Sequence, residues 1–136
     1  MLLSQYFAVL CTRGKTHPYC SLIGFAVTED LCSIVFSTMK DTRKYNNILA
    51  CGNVSFLIDS RKNRIEDLKD ANALSVLGEV KSVDSGIDSE RRKFFLARHP
   101  NLTSFLDDPN TVLVTVDVSR YILVTRFQEV FELEIG

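Results

Sequence analysis

Apolar and polar positions change period several times along the chain, and each change marks an element. Residues 6–12 form an apolar run, residues 13–18 have turn composition, and residues 19–27 are apolar again. Thr28, Glu29 and Asp30 make a second turn before residues 31–38, a stretch rich in Ile, Val and Phe. Short apolar runs joined by tight polar turns predict an antiparallel meander. Over residues 41–51 the spacing becomes helical, with Tyr45, Ile48 and Leu49 in phase, Asp41 placed to cap and Gly52 to stop the segment. Strand pattern returns at residues 54–58, and a charged polar loop fills residues 59–72. Residues 73–83 predict a strand with a bulge at Gly78. Residues 88–98 read as helix and residues 101–106 as a shorter one. Residues 111–118 alternate, with Val112, Val114, Val116 and Val118 on one face. After a break at Ser119 and Arg120, residues 121–128 and 130–135 close the chain as strand. Six or more antiparallel strands with two or three short helices predict a mainly β, α+β fold built on a β-barrel. No repeat or linker composition divides the chain, so residues 1–136 are expected to form one domain.

Composition narrows the functional classes. A chain of 136 residues can bury roughly two-thirds of the surface its unfolded state exposes. With 46% apolar and 24% charged residues, disorder and coiled coil are excluded. Sixteen Lys and Arg against seventeen Asp and Glu leave a net charge of -1. A general electrostatic grip on nucleic acid needs a basic excess, so any anion site must be local. No apolar run approaches the roughly 18 residues that cross a membrane. The apolar N-terminus lacks both a basic segment and a small-residue cleavage site, which predicts a cytoplasmic protein. Cys11, Cys20, Cys32 and Cys51 contain no CxxC pair, and His17 and His99 stand far apart, so no metal site is expected. Each cysteine lies in or beside an apolar run and is expected to be a buried free thiol.

One segment carries candidate chemistry: Ser37-Thr38-Met39-Lys40-Asp41-Thr42-Arg43-Lys44. Lys40, Arg43 and Lys44 cluster at a predicted helix N-terminus, where each exposed cation opposes the helix dipole by roughly 0.3–1 kcal/mol. A bound phosphate would reverse that sign, because helix amides and basic side chains would then converge on it. Ser37, Thr38 and Thr42 would add hydroxyl donors. The same residues also read as a solvated basic turn with a threonine cap. There is no G-x-S-x-G elbow, His17 lies in a Thr-His-Pro turn, and His99 precedes Pro100, so neither histidine is predicted to act as a base. Glu66, Asp67 and Asp70 read as solvated charge.

Several segments, taken in order, resemble the pyridoxamine 5′-phosphate oxidase-like flavoproteins. His17-Pro18-Tyr19-Cys20-Ser21-Leu22-Ile23-Gly24-Phe25 is similar to the family's second strand, and residues 35–44 to its third strand and phosphate loop. Asn53-Val54-Ser55-Phe56-Leu57-Ile58, Val76-Leu77-Gly78-Glu79-Val80, Arg120-Tyr121 and Arg126-Phe127-Gln128 continue the likeness. The resemblance implies an FMN-binding split barrel, six-stranded and antiparallel, working as a homodimer with flavin at the interface. It implies that Arg43 and Lys44, with Thr42, hold the FMN phosphate, and that Ser37 and Thr38 bind near it. Ser21, Leu22, Ile23 and Gly24 would lay their backbone against the flavin ring. Arg126 and Phe127 would reach the partner's flavin, and Asn72 falls near the position of a ring-contacting glutamine. Ser21 stands where the oxidase has an arginine, and no Arg-x-His element follows Phe127. The resemblance therefore does not extend to oxidation of pyridoxamine phosphate. It implies an FMN-dependent oxidoreductase on an unidentified substrate, or alternatively a non-catalytic module that binds or stores a flavin or deazaflavin. A haem-binding relative would need His99 as its axial ligand.

Overall fold

Seven strands account for nearly half of the chain in the computed structural model, which describes residues 1–87, 90–125 and 128–136. They are β1 (Phe7–Arg13), β2 (Pro18–Val27), β3 (Ser33–Met39), β4 (Asn53–Asp59), β5 (Ala73–Ser85), β6 (Thr111–Thr125) and β7 (Glu129–Glu134). Four short helices intervene among the described residues: α1 (Arg43–Ala50), α2 (Asp67–Asp70), α3 (Glu90–Arg98) and α4 (Thr103–Asp107). The strand order is β3-β2-β1-β4-β5-β6-β7, and β3 also pairs with β6. That last pairing closes six antiparallel strands into the barrel expected from the sequence, and β7 extends it beside β6.

Closure depends on β6, whose 15 residues pair with β5, β3 and β7. It stays strand through Ser119 and Arg120, where the polar pair predicted a break, although Ser119 is the extra residue of a bulge opposite Leu77 and Gly78. Ser119 Oγ donates to the Leu77 carbonyl at 3.0 Å, and Arg120 forms ion pairs with Glu132 and Glu134 of β7. Cross-strand partners thus hold as strand a dipeptide that reads locally as a turn. The expected irregularity at Gly78 is present as a register shift against β6. A Cβ at Gly78 would lie 2.5 Å from the Asp117 carbonyl oxygen, so only glycine allows β5 and β6 to approach this closely.

The barrel interior is filled by Leu10, Phe25, Ile34, Phe36, Phe56, Val76 and their neighbours, with Val112, Val114, Val116 and Val118 all contributing as the alternation predicted. A second cluster lies outside the barrel wall, where Phe95 of α3 and Leu106 of α4 cover Ala26, Val35 and Leu113. That explains why β3 and the first half of β6 are apolar on both faces. The Tyr121 hydroxyl donates to the Leu31 carbonyl at 2.7 Å, tying β6 to the turn after β2. Burial pushes its phenol up to about 12.

Four local expectations change. Thr42, not Asp41, caps α1, its Oγ1 accepting from Tyr45 N–H. Leu49 is exposed while Ile48 is buried, so the apolar face of α1 is narrower than the spacing suggested. The charged loop contains the single turn α2, stabilised where the Asp67 carboxylate accepts the Lys62 and Arg64 amides. Those backbone donors hold the Asp67 carboxyl below its ordinary range. The cysteines are also less buried than expected: Cys20 and Cys32 are exposed, and Cys11 and Cys51 half-buried. An apolar run on a barrel strand presents alternate residues outward, and Cys11 falls between the inward Leu10 and Thr12. No helix among the described residues is long and apolar enough to cross a membrane.

Candidate functional site

The N-terminus of α1 opens onto the largest cavity described, of about 710 Å³. Thr42 holds that end in place. Its hydroxyl donates to the Met39 carbonyl at 2.8 Å and lies 3.0 Å from Thr38 Oγ1. Both threonine hydroxyls are therefore engaged inside the loop that leads from β3 into the helix. The amides of Arg43 and Lys44, in the first turn, have no acceptor within the helix. Lys44 lines the cavity together with Thr42, so the positive end of a helix dipole and one cation stand at this end.

The cavity continues along the outer side of β2, past Leu22, Ile23 and Gly24, and on to the segment that follows α3. Leu22 is 70% exposed and, with Phe7 at 62%, forms an apolar rim. His99 closes the far wall. Its ring lies against Gly24, where a Cβ would come within 3.1 Å of the imidazole Cε1. The ring also stacks on Phe95 with centroids 4.8 Å apart and meets Tyr6 edge-on. Nε2 sits 2.8 Å from the Phe25 carbonyl oxygen. A carbonyl only accepts, so Nε2 carries hydrogen and Nδ1 presents a lone pair whenever the ring is neutral. Arg98, the last residue of α3, donates to the Leu3 and Gln5 carbonyls at 2.7 and 3.0 Å. Its guanidinium lies 3.9 Å from the Tyr6 ring centroid. The arginine thus fixes the N-terminal segment and Tyr6 against the cavity, which it also lines.

Of the residues expected from the sequence, Leu22, Ile23, Gly24, Ser37, Thr38, Thr42 and Lys44 come together around this cavity. Ser21 lies on the barrel-facing side of β2, opposite the buried Leu10, and its buried Oγ has no hydrogen-bond partner among the described residues. Arg43 turns the other way. Its guanidinium stands 5.3 Å from the Tyr19 ring centroid, in a separate hollow of about 570 Å³ lined by residues of the Gly14 to Tyr19 turn. Asn72 stands at the base of the charged loop, where its backbone exchanges hydrogen bonds with Ser60. Arg126 and Phe127 lie outside the described residues. Tyr6, Arg98 and Phe105 line the cavity without having been singled out, and only the His99-Pro100 pair among the far-wall residues carried a sequence signal.

The donor set suits a ligand with an anionic end and a flat apolar body. The positive end of α1 and Lys44 meet the first, and Leu22, the Gly24 backbone and the aromatic wall meet the second. The volume falls within the roughly 300–1,000 Å³ of small-molecule sites.

Known proteins share this architecture. A heme binding protein from Mycobacterium smegmatis superposes with a TM-score of 0.80 at 12% identity, over 96% of this chain and 53% of that one. A FAD-binding protein from Mesorhizobium loti gives 0.71 at 14% identity, over 90% and 85%. General Stress Protein 26 from Bacillus anthracis gives 0.70 at 22% identity, over 97% and 92%. At these identities the likeness is one of fold. No curated protein sequence matches the chain. The sequence model of pyridoxamine 5′-phosphate oxidase matches residues 1–125, and the chain is a member of that family.

Proposed function

We propose that the chain binds FMN without a covalent link in the cavity at α1 and serves as an oxidoreductase on a substrate still to be identified. The observation that carries this reading is the meeting, in one cavity, of the α1 N-terminus and Lys44 with the bare backbone of β2 at Gly24. Lys44 and the first-turn amides bind the phosphate, and Thr42 keeps that turn in place through the Met39 carbonyl. Leu22, Ile23 and Gly24 form the wall along which the ring lies. His99 backs that wall with its Nε2–H fixed on Phe25. Bound flavin supplies hydride and electron transfer. The protein's share is to clamp, orient and exclude water. A second copy of the chain completes the site by covering the apolar rim at Phe7 and Leu22, which a single chain leaves open to solvent.

A second reading, a flavin or deazaflavin binding or storage module, is favoured by a specific feature. Nη2 of Arg98 and Nε2 of His99 are both bonded to backbone carbonyls, so two of the cavity's polar atoms serve the wall.

The test is an absorbance spectrum of the purified protein, followed by titration with FMN and reduction of the complex. Flavin bands or saturable micromolar binding support the cofactor, and substrate-dependent reoxidation beyond that by oxygen separates the oxidoreductase from the storage module. Absence of FMN binding would overturn the first reading, and failure to bind a deazaflavin as well would overturn the second.

A further inference from the structure

Away from the cavity's phosphate end, Cys11 on β1 faces Cys20 on β2 across the first hairpin. Both are free thiols, and their sulfurs lie 3.5 Å apart. The hydrogen bonds of the hairpin determine what kind of pair they form. Gly14 N–H donates to the His17 carbonyl at the turn, and Phe25 N–H donates to the Tyr6 carbonyl at the far end. Antiparallel partners alternate between hydrogen-bonded and non-hydrogen-bonded pairs. The register is unbroken from Phe7 opposite Gly24 to Arg13 opposite Pro18. Counting inward from either end makes Cys11 and Cys20 a non-hydrogen-bonded pair. Pro18, which has no N–H to donate, falls at another such position. Partners of this kind have Cα atoms about 4.5 Å apart, inside the roughly 4.4–6.8 Å that a disulfide spans. The backbone is therefore already at bridging distance, and closure asks for movement of the two sulfurs.

We propose that Cys11 and Cys20 are a reversible dithiol–disulfide site, oxidised within one chain by exchange with a low-molecular-weight disulfide. The exposed Cys20 attacks first, as its thiolate. One sulfur of the small disulfide bonds to Cys20 and the other leaves as a thiol. Cys11 then releases its proton to solvent and attacks the Cys20 sulfur, expelling the second small thiol. Two protein thiols are oxidised and one small disulfide is reduced to two thiols. Burial, together with the hydrogen bond and charge of Cys20, raises the Cys11 thiol above its ordinary value, which suits a resolving rather than an attacking role. The bridge would tie β1 to β2 two residues before Leu22, the start of the cavity wall, and it depends on no assumption about the ligand there.

The full-length protein treated with glutathione disulfide near neutral pH, then alkylated and mapped by mass spectrometry, tests the site. The expected result is protection of two of the four cysteines, recovery of Cys11 and Cys20 as one cross-linked peptide pair from a single chain, and return of both thiols with dithiothreitol. Cys11→Ser should stop at a glutathione adduct on Cys20, and Cys20→Ser should leave Cys11 unprotected. Wild-type protein in which both cysteines stay alkylatable, in which oxidation halts at a mixed disulfide, or in which Cys20 links two chains would overturn the proposal.

Discussion

Two hollows flank the start of α1, and they divide between them a cluster that the sequence presents as one. Lys44 and the Thr42 cap border the larger cavity along β2. Arg43, its immediate neighbour, lies in the polar hollow beside Tyr19 and the His17 turn. Successive residues on a helix point about 100° apart, so adjacent cations at a helix start do not form one clamp by default. The walls differ as well. The larger cavity has an apolar strand face and an aromatic back wall, whereas the hollow at Arg43 is lined by turn residues such as Lys15 and Thr16 and by Asn46 of α1. A site for a flat, phosphorylated cofactor needs both ends, and one hollow alone supplies them.

Substitutions on the two sides sharpen that contrast. The largest effect is expected from Lys44→Ala, which removes a charge-assisted bond and should weaken FMN binding by ~1.5–3 kcal/mol in a fluorescence titration. Gly24→Val comes next. Its side chain would displace the His99 ring, costing ~1–3 kcal/mol of stability by overpacking and reducing FMN affinity along with it. Gly14→Ala is its counterpart at the other hollow. A Cβ there meets the His17 carbonyl oxygen at 2.4 Å, so thermal stability should fall while the folded protein keeps its FMN affinity. Thr42→Ala removes the helix cap and should lower stability by about 1 kcal/mol in thermal or urea unfolding. Arg43→Ala should be the mildest, changing FMN binding by less than ~1 kcal/mol, as for an exposed charge. Equal losses from Arg43→Ala and Lys44→Ala would break the contrast and restore a shared clamp.

The barrel was legible because burial imposes a period of two on its strands. Val112, Val114, Val116 and Val118 announced their common face, and Gly78 announced a close strand contact. What escaped the sequence depends on partners far along the chain. Arg120 keeps β6 continuous through glutamates of β7, a relation no local window contains. The same holds for the candidate site. Lys44 and Thr42 are visible as a basic, capped helix start, but the back wall joins Tyr6, Gly24 and His99 across the fold. The facing of Cys11 and Cys20 follows from hairpin register, which nine residues of separation do not reveal.

The most direct measurement is a crystal structure of the protein with FMN bound. The account predicts the phosphate within hydrogen-bond reach of Lys44 Nζ and the first-turn amides of α1, with the ring along Leu22, Ile23 and Gly24. A phosphate seated in the hollow between Arg43 and the His17 turn, with the ring away from β2, would contradict it.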